Sequence, residues 1–409
     1  MNIKYVLSLV SLSLLGFSNA KAQGCVAVRQ MGGLSMCSSG GYNLEKGIFQ
    51  VGTNYRYFHS FRHFVGKEEQ HERQNTGGGH DENGVEQGNA VNIYSHAVDF
   101  NFSYGLSNRL QLNATIPYVN NERSQVLRET TTEPDTFRYS VYADGIGDFR
   151  FSLNYWVFDP ALSHDGNIMA GLGIKLPTGS FASTDNQVPQ ADGTLKDFVV
   201  MDQAIQPGDG GVGVTLELQA FKKLFGGVYG FANGYYLFNP RESNGTYKSP
   251  PTVVKSPVDG NVLGTLYGYN IYASPDQYFL RAGVSATILD NLSGSLAVRW
   301  EGIPAYDAFG GQVAYRRPGY VVAIEPGVAF RTGNHSFNLF VPFNFIRNRI
   351  QSAADIENQN LQNSVVSDPA DYVHVQGDAA FADYSISFGY AYRFGKKAGS
   401  AFSDIPVHK

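Results

Sequence analysis

Four histidines, His59, His63, His71 and His80, share one stretch of the chain with Glu68, Glu69, Glu72, Asp81 and Glu82. Imidazole and carboxylate together can hold a transition metal. Their spacing matches no closed site, and a polar loop rich in such residues is ordinarily just solvated, so no metal or cofactor is expected. Serine and histidine are adjacent at His59-Ser60, Ser95-His96, Ser163-His164 and His335-Ser336. A hydrolytic serine needs its base within hydrogen-bond reach, whereas neighbours on an extended chain point to opposite faces. No catalytic residue is assigned. The segments Asp144 to Asp148 and Gln206 to Gly211 offer calcium carboxylate and carbonyl oxygens. Such Gly/Asp runs more often supply the positive-φ positions of tight turns.

A third group of charges is placed differently. Arg56, Asp99, Arg150, Lys175, Glu217, Arg281, Arg299, Glu301, Glu325, Arg331 and Arg393 all fall within stretches where oily and polar residues alternate. In the last stretch Tyr384, Ile386, Phe388, Tyr390, Tyr392 and Phe394 share one face. Ser385, Ser387, Gly389, Ala391 and Arg393 share the other. Successive side chains of a strand point to opposite sides, so this ribbon is greasy on one face and small or polar on the other.

Twelve such stretches are read, at 47–59, 92–104, 109–119, 146–158, 167–177, 211–222, 226–238, 277–289, 293–302, 319–332, 335–347 and 383–394. Short connections alternate with long ones at 60–91, 120–145, 178–210, 239–276, 303–318 and 348–382. That is the pattern of an all-β, antiparallel up-and-down transmembrane barrel with short periplasmic turns and long extracellular loops. Phe49, Val51, Tyr55 and Tyr57 would face lipid, as would Leu110, Leu112, Ile116 and Tyr118, Phe151 and Leu153, and Phe337, Leu339 and Phe345. The charges listed above would face the lumen. There they would either pair and stiffen the wall, Arg281, Arg299, Arg331 and Arg393 with Glu217, Glu301 and Glu325, or form a polar constriction that selects solutes.

The chain has 409 residues and a formal net charge of −5, so nothing favours nucleic acid, which calls for a basic surface. Met1 to Ala22 reads as a signal peptide: Lys4, an apolar run to Phe17, then Ala20-Lys21-Ala22 as the cleavage site. Residues 23–45 would form a periplasmic or plug segment, 46–395 the barrel and 396–409 a periplasmic tail. Cys25 and Cys37 are the only cysteines, and export to an oxidising compartment favours a disulfide between them. Lipidation of Cys25 is the poorer reading, because Gln23 stands where a lipobox favours a small residue.

Several segments carry a family resemblance. They are Tyr104-Gly105-Leu106-Ser107-Asn108-Arg109 leading into Ala114-Thr115-Ile116-Pro117-Tyr118, Gly145-Ile146-Gly147-Asp148, and Leu176-Pro177-Thr178-Gly179. Pro207-Gly208-Asp209-Gly210-Gly211, Glu301-Gly302-Ile303-Pro304 and Arg317-Pro318-Gly319-Tyr320 complete the set. In order and spacing the chain resembles the outer-membrane barrels grouped as the meta-pathway of phenol degradation family. The resemblance implies a membrane barrel that takes up small organic compounds; that family has no agreed catalytic residues to carry over. The expected partners are outer-membrane lipid, small-molecule solutes and the barrel assembly machinery, in the outer membrane of a Gram-negative bacterium. A surface-interaction protein acting through its long loops is the alternative. Intact-mass analysis of the exported protein should find Gln23 as the first residue and a gain of two hydrogens on reduction. A mature chain retaining Met1 would remove the export reading.

Overall fold

The computed structural model describes residues 43–395, apart from residues 76, 81–83, 129–135, 191–192 and 312. The signal segment, both cysteines and the tail from 396 lie outside the described residues. Twelve antiparallel strands make one closed sheet. They are β1 (Phe49–Val65), β2 (Asn92–Gly105), β3 (Leu110–Arg128), β4 in two segments (Thr136–Ile146 and Arg150–Trp156), β5 (Gly166–Lys175) and β6 (Gly213–Phe225). Then follow β7 (Val228–Phe238), β8 (Gln277–Leu289), β9 (Leu292–Ile303), β10 (Gly319–Thr332), β11 in two segments (His335–Phe340 and Phe343–Arg349) and β12 (Ala379–Phe394). Each strand pairs with the next, and β12 returns to β1 in a register running from Phe49 opposite Phe394 to Phe58 opposite Ser385. Among the described residues the closed part of the wall leaves no edge, while Thr136–Ile146 pairs β3 alone.

The alternation sets the faces as expected. Outward residues such as Leu172, Leu218 and Val298 are about half exposed, although they are fully apolar. Tyr55, Leu112, Tyr118, Phe151, Leu153, Leu339 and Phe345 join the same belt. Aromatic pairs mark its rims: Phe49 with Phe394 at the end carrying the short turns, and Trp300 with Tyr278 and Tyr320 at the other.

Two breaks in the wall have a common cause. β4 is interrupted at 147–149, opposite Pro117 of β3, and β11 at 341–342, close to Pro326 of β10. Proline has no N–H to give to a ladder, so pairing lapses beside it. The proline carbonyls still accept, from Gly147 N at 2.8 Å and Val341 N at 3.1 Å.

The strand bounds differ from the expected ones chiefly at the long-loop end. The stretch 120–145, read as a loop, is largely β3 and β4, which continue past the belt as a ribbon from Tyr118 paired with Ile146 to Arg128 paired with Thr136. β1 likewise continues to Val65, and β12 begins at Ala379. Polar residues on both faces, as in Asn120-Asn121-Glu122-Arg123, hide the strand from a search for alternation but suit a wall standing in water. The 348–382 loop contains a helix, Ala353–Asn363, started by a reciprocal capping box between Ser352 and Asp355. Leu218→Arg on the outer face of β6 should cost about 2–4 kcal/mol of folding free energy in bilayers, read from denaturant titration. The inward substitution Asn113→Arg should cost far less; equal costs would contradict the faces assigned.

Candidate solute path through the barrel

The inward register places every strand charge named above on the lumen side. Arg281 of β8 stands opposite Arg299 of β9, and Ala297 opposite Glu325 of β10. Two guanidiniums side by side repel unless a carboxylate bridges them, and Glu325 does this. It accepts from Arg281 Nη1 at 2.7 Å and from Arg299 Nη1 at 3.0 Å, while Arg299 Nη2 donates to Glu301 at 2.8 Å. All four residues are almost fully buried, and Asn233 of β7 accepts from Arg281 Nη2 at 3.1 Å. Buried charges are tolerated only when paired and hydrogen-bonded in this way. Across the lumen Asp99 lies in the field of Arg56 and Arg150, and Asn154 donates to Glu217 at 3.1 Å.

The pairing expected from sequence holds for Arg281 and Arg299 with Glu301 and Glu325, and is corrected for the others. Arg393 lies near the short-turn rim, where its Nε donates to Gln50 at 2.8 Å, and Arg331 sits two residues from the Gly333 turn. Neither belongs to the central group. Lys175 bridges Asp148 at 3.2 Å and Asp209. The Asp148 carboxylate also takes the amides of Gly179 at 3.0 Å and Asp209 at 3.1 Å. A side chain at Gly208 would meet Asp148 Oδ1 at 2.6 Å, so only glycine lets this loop reach the break in β4. The two Gly/Asp segments thus meet in space around one lysine, with positive φ at Gly145 and Gly210.

The aromatic lining was not legible in the sequence. Tyr229, Phe231 and Tyr235 of β7 point inward and are buried, while Gly230, Ala232 and Gly234 alternate with them on the outer face. Arg281 lies over Phe340 at 5.0 Å and Phe231 at 5.6 Å, Arg299 over Phe279 at 5.0 Å, and Arg150 over Tyr235 at 5.6 Å. Cations over ring faces are attracted by the ring quadrupole. The one available signal was Asn233, which is in phase with these rings.

Above this level the loops fold inward. Met201, Ile205 and Val188 of the 176–212 loop pack on Ile93, Val141 and Ala143 from the inner face of the wall. Arg317 holds Asp202 of this loop through two hydrogen bonds, at 2.6 and 2.7 Å, and Asn121 donates to Ile205 O at 2.8 Å. Burial alone would raise the Asp202 carboxyl, but the Arg317 guanidinium and then Arg123 outweigh it and hold it well below the usual carboxylate range. Beneath lies a cleft of about 620 Å³, open solvent included, lined by Arg150, Lys175, Gln203, Asp209, Gln277 and Arg317.

The histidines are engaged separately. His59 stacks on Tyr94 at 4.1 Å, and His71 lies 3.5 Å from Glu69. His63 accepts from Val91 N at 2.9 Å through Nε2, so its Nδ1 donates to Asp378, at 2.5 Å. The side chain of His80, and Asp81 and Glu82, lie outside the described residues.

No family model matches the chain, and no curated protein does. Among solved structures it is similar to an outer membrane channel from Pseudomonas putida F1, with a TM-score of 0.52 and 10% identity, over 88% of this chain and 100% of that one. The fold is that of an outer-membrane channel. Weaker likenesses are to the toluene transporter TbuX of Ralstonia pickettii (TM-score 0.41, 11% identity, covering 86% of this chain and 90% of that one) and to a Pseudomonas aeruginosa FadL homologue (0.39, 10%, covering 91% and 99%). At these identities the comparison concerns fold alone.

Asp378 also takes a hydrogen bond from Arg73, which ties the first long loop to the last. Burial would raise its carboxyl, but the hydrogen bond from His63 and then the charge of Arg73 hold it down, to about 2. A depressed carboxyl stabilises the fold fully above its unfolded value, roughly 4, and that contribution is lost as pH falls through the folded value. Amide exchange in the 350–378 loop should therefore stay slow down to about pH 4 and accelerate between pH 4 and 2. Asp378→Asn should remove that acid step; an unchanged profile in the variant would contradict the assignment.

Proposed function

We propose that this protein is a passive channel of the Gram-negative outer membrane that conducts small aromatic or hydrophobic solutes. The observation that carries the reading is the lumen: guanidiniums lie against aromatic rings inside a wall whose outside is apolar. Phe231, Phe279, Phe340, Arg281 and Arg299 are closed to solvent, so a solute crosses this level when their packing parts, its ring against the phenyl faces and its polar substituents against the guanidiniums. Among the described residues several buried inward atoms find no hydrogen-bond partner, among them Trp156 Nε1, Gln111 Oε1, Gln277 Oε1 and Asn338 Oδ1. Each costs about 1–3 kcal/mol unless water or the polar group of a solute bonds it, which suits a path crossed by partly polar molecules.

Selectivity is assigned to the central group of Arg281, Arg299, Glu301 and Glu325, with Arg56, Asp99, Arg150, Lys175 and Glu217 along the same wall. The motif resemblance to the phenol-degradation barrels supports small organic solutes, and the toluene transporter named above is a barrel of broadly similar kind. The signal segment supports export, and the aromatic end of β12 at Phe394 suits hand-over to the barrel assembly machinery.

Liposome swelling with small aromatic acids, aromatic alcohols, sugars and amino acids tests this directly. Aromatic solutes should enter faster than sugars of equal size. Arg281→Ala and Arg299→Ala each remove guanidinium–ring contacts of about 0.5–2 kcal/mol, so the aromatic-to-sugar ratio should change about two- to thirtyfold. Heat-modifiable gel mobility would confirm that the variants are folded. Unchanged ratios in both folded variants would remove the constriction, and no swelling with any solute would remove the channel.

A further inference from the structure

The rim of the barrel above the cleft gathers more cations than it neutralises. Arg123 comes from the extended part of β3, Arg317 from just before β10, and Lys248 from the 239–276 loop. All three surround the single carboxylate of Asp202. Arg317 bonds it directly, Arg123 Nε lies 3.9 Å away, and Lys248 lies within its field. Lys248 is solvent-exposed, and its Nζ lies 4.1 Å over the Tyr315 ring; Arg317 covers the same ring at 5.2 Å. Among the described residues no carboxylate pairs with the Lys248 ammonium. Crowding by the protein lowers Lys248 to about 8, and the repulsion of Arg317 outweighs the attraction of Asp202. The field at this point is therefore net positive in spite of Asp202.

Arg317 belongs both to this cluster and to the lining of the cleft below. The same cleft is lined by Ala204, Pro207 and Ile303 as well as by Arg150, Lys175 and Arg316, with Asp148 and Asp209 bound to Lys175, so apolar surface and cations stand side by side in it. A ligand that satisfies both parts carries one negative charge and one compact apolar body. We propose that this vestibule is a capture site for small aromatic carboxylates. The carboxylate is held by Lys248 and Arg317, and the ring lies against Ala204, Pro207 and Ile303. The inference rests on the channel reading and narrows its solute class: anions are concentrated at the mouth before they meet the guanidinium–aromatic path below. Cation-lined mouths raise the local concentration of anions and the rate at which they enter.

Equilibrium dialysis of the purified full-length protein in detergent, with labelled benzoate and its neutral isostere benzamide, tests the site. Benzoate should bind more tightly than benzamide, and added salt should weaken benzoate alone. Lys248→Gln should weaken benzoate about two- to fivefold, the range of a solvent-exposed ion pair, and leave benzamide unchanged; Lys248→Arg should restore benzoate. Among the described residues Lys248 makes no ion pair, and heat-modifiable mobility checks that both variants are intact. Equal binding of the two ligands, or benzoate affinity indifferent to Lys248→Gln, overturns the site even if vesicles swell. Charge-dependent benzoate binding by a protein that swells no vesicles would uphold the site and sink the channel reading instead.

Discussion

Hydrocarbon offers no partner to a backbone N–H or C=O, so a chain that crosses it in strands must bond every such group to another strand. The meeting of β12 with β1 is where that requirement is met last, and the rest of the molecule depends on it. The register from Phe49 opposite Phe394 to Phe58 opposite Ser385 turns a twisted sheet into a wall without edges. The same condition gives each of the twelve strands a partner on both sides, the last pairing with the first. Where the ladder lapses, beside Pro117 and Pro326, the gaps are covered locally. At β4 the covering is the Asp148, Lys175 and Asp209 group with its close glycine contacts.

Closure also separates two solvents by a single residue step. Because side chains alternate, the residue after a lipid-facing leucine is in the lumen, and a charge there costs little if it finds a partner. Arg281, Arg299, Glu301 and Glu325 resolve this by bridging across three neighbouring strands. The same guanidiniums brace the wall through carboxylates and lie against the rings of Phe231, Phe279 and Phe340. The two contacts do not compete, since a guanidinium bridged in its plane keeps a flat face for an aromatic neighbour.

Outside the membrane the constraint is relaxed, and the chain uses the freedom. The ribbon of β3 and β4 rises into water with polar residues on both sides, and the loops turn inward instead of outward. Asp202, Asp307 and Asp378 each tie a loop through an arginine: Arg317, Arg316 and Arg73. These clasps shape a mouth whose charge is set by side chains distant in sequence, such as Arg123, Lys248 and Arg317.

The number of strands, their direction and the facing of most of them were legible from residue order alone. A two-residue period and the alternation of loop lengths are local properties, and the membrane forces them into one topology. β7 shows the limit. Tyr229, Phe231 and Tyr235 alternate with Gly230, Ala232 and Gly234, and the rule that oily residues face lipid would turn this strand inside out. Only its neighbours decide: Asn233, in phase with the rings, must reach Arg281 across the β7–β8 ladder. The same holds for the fate of each charge. That Arg281 and Arg299 lie in the lumen follows from alternation, but their bridging by Glu325, the placing of Arg393 at the rim beside Gln50, and the gathering of Asp148, Lys175 and Asp209 depend on register between strands. Register, and the inward fold of loops onto the wall, are set by packing and pairing across the closed sheet, which no single segment contains.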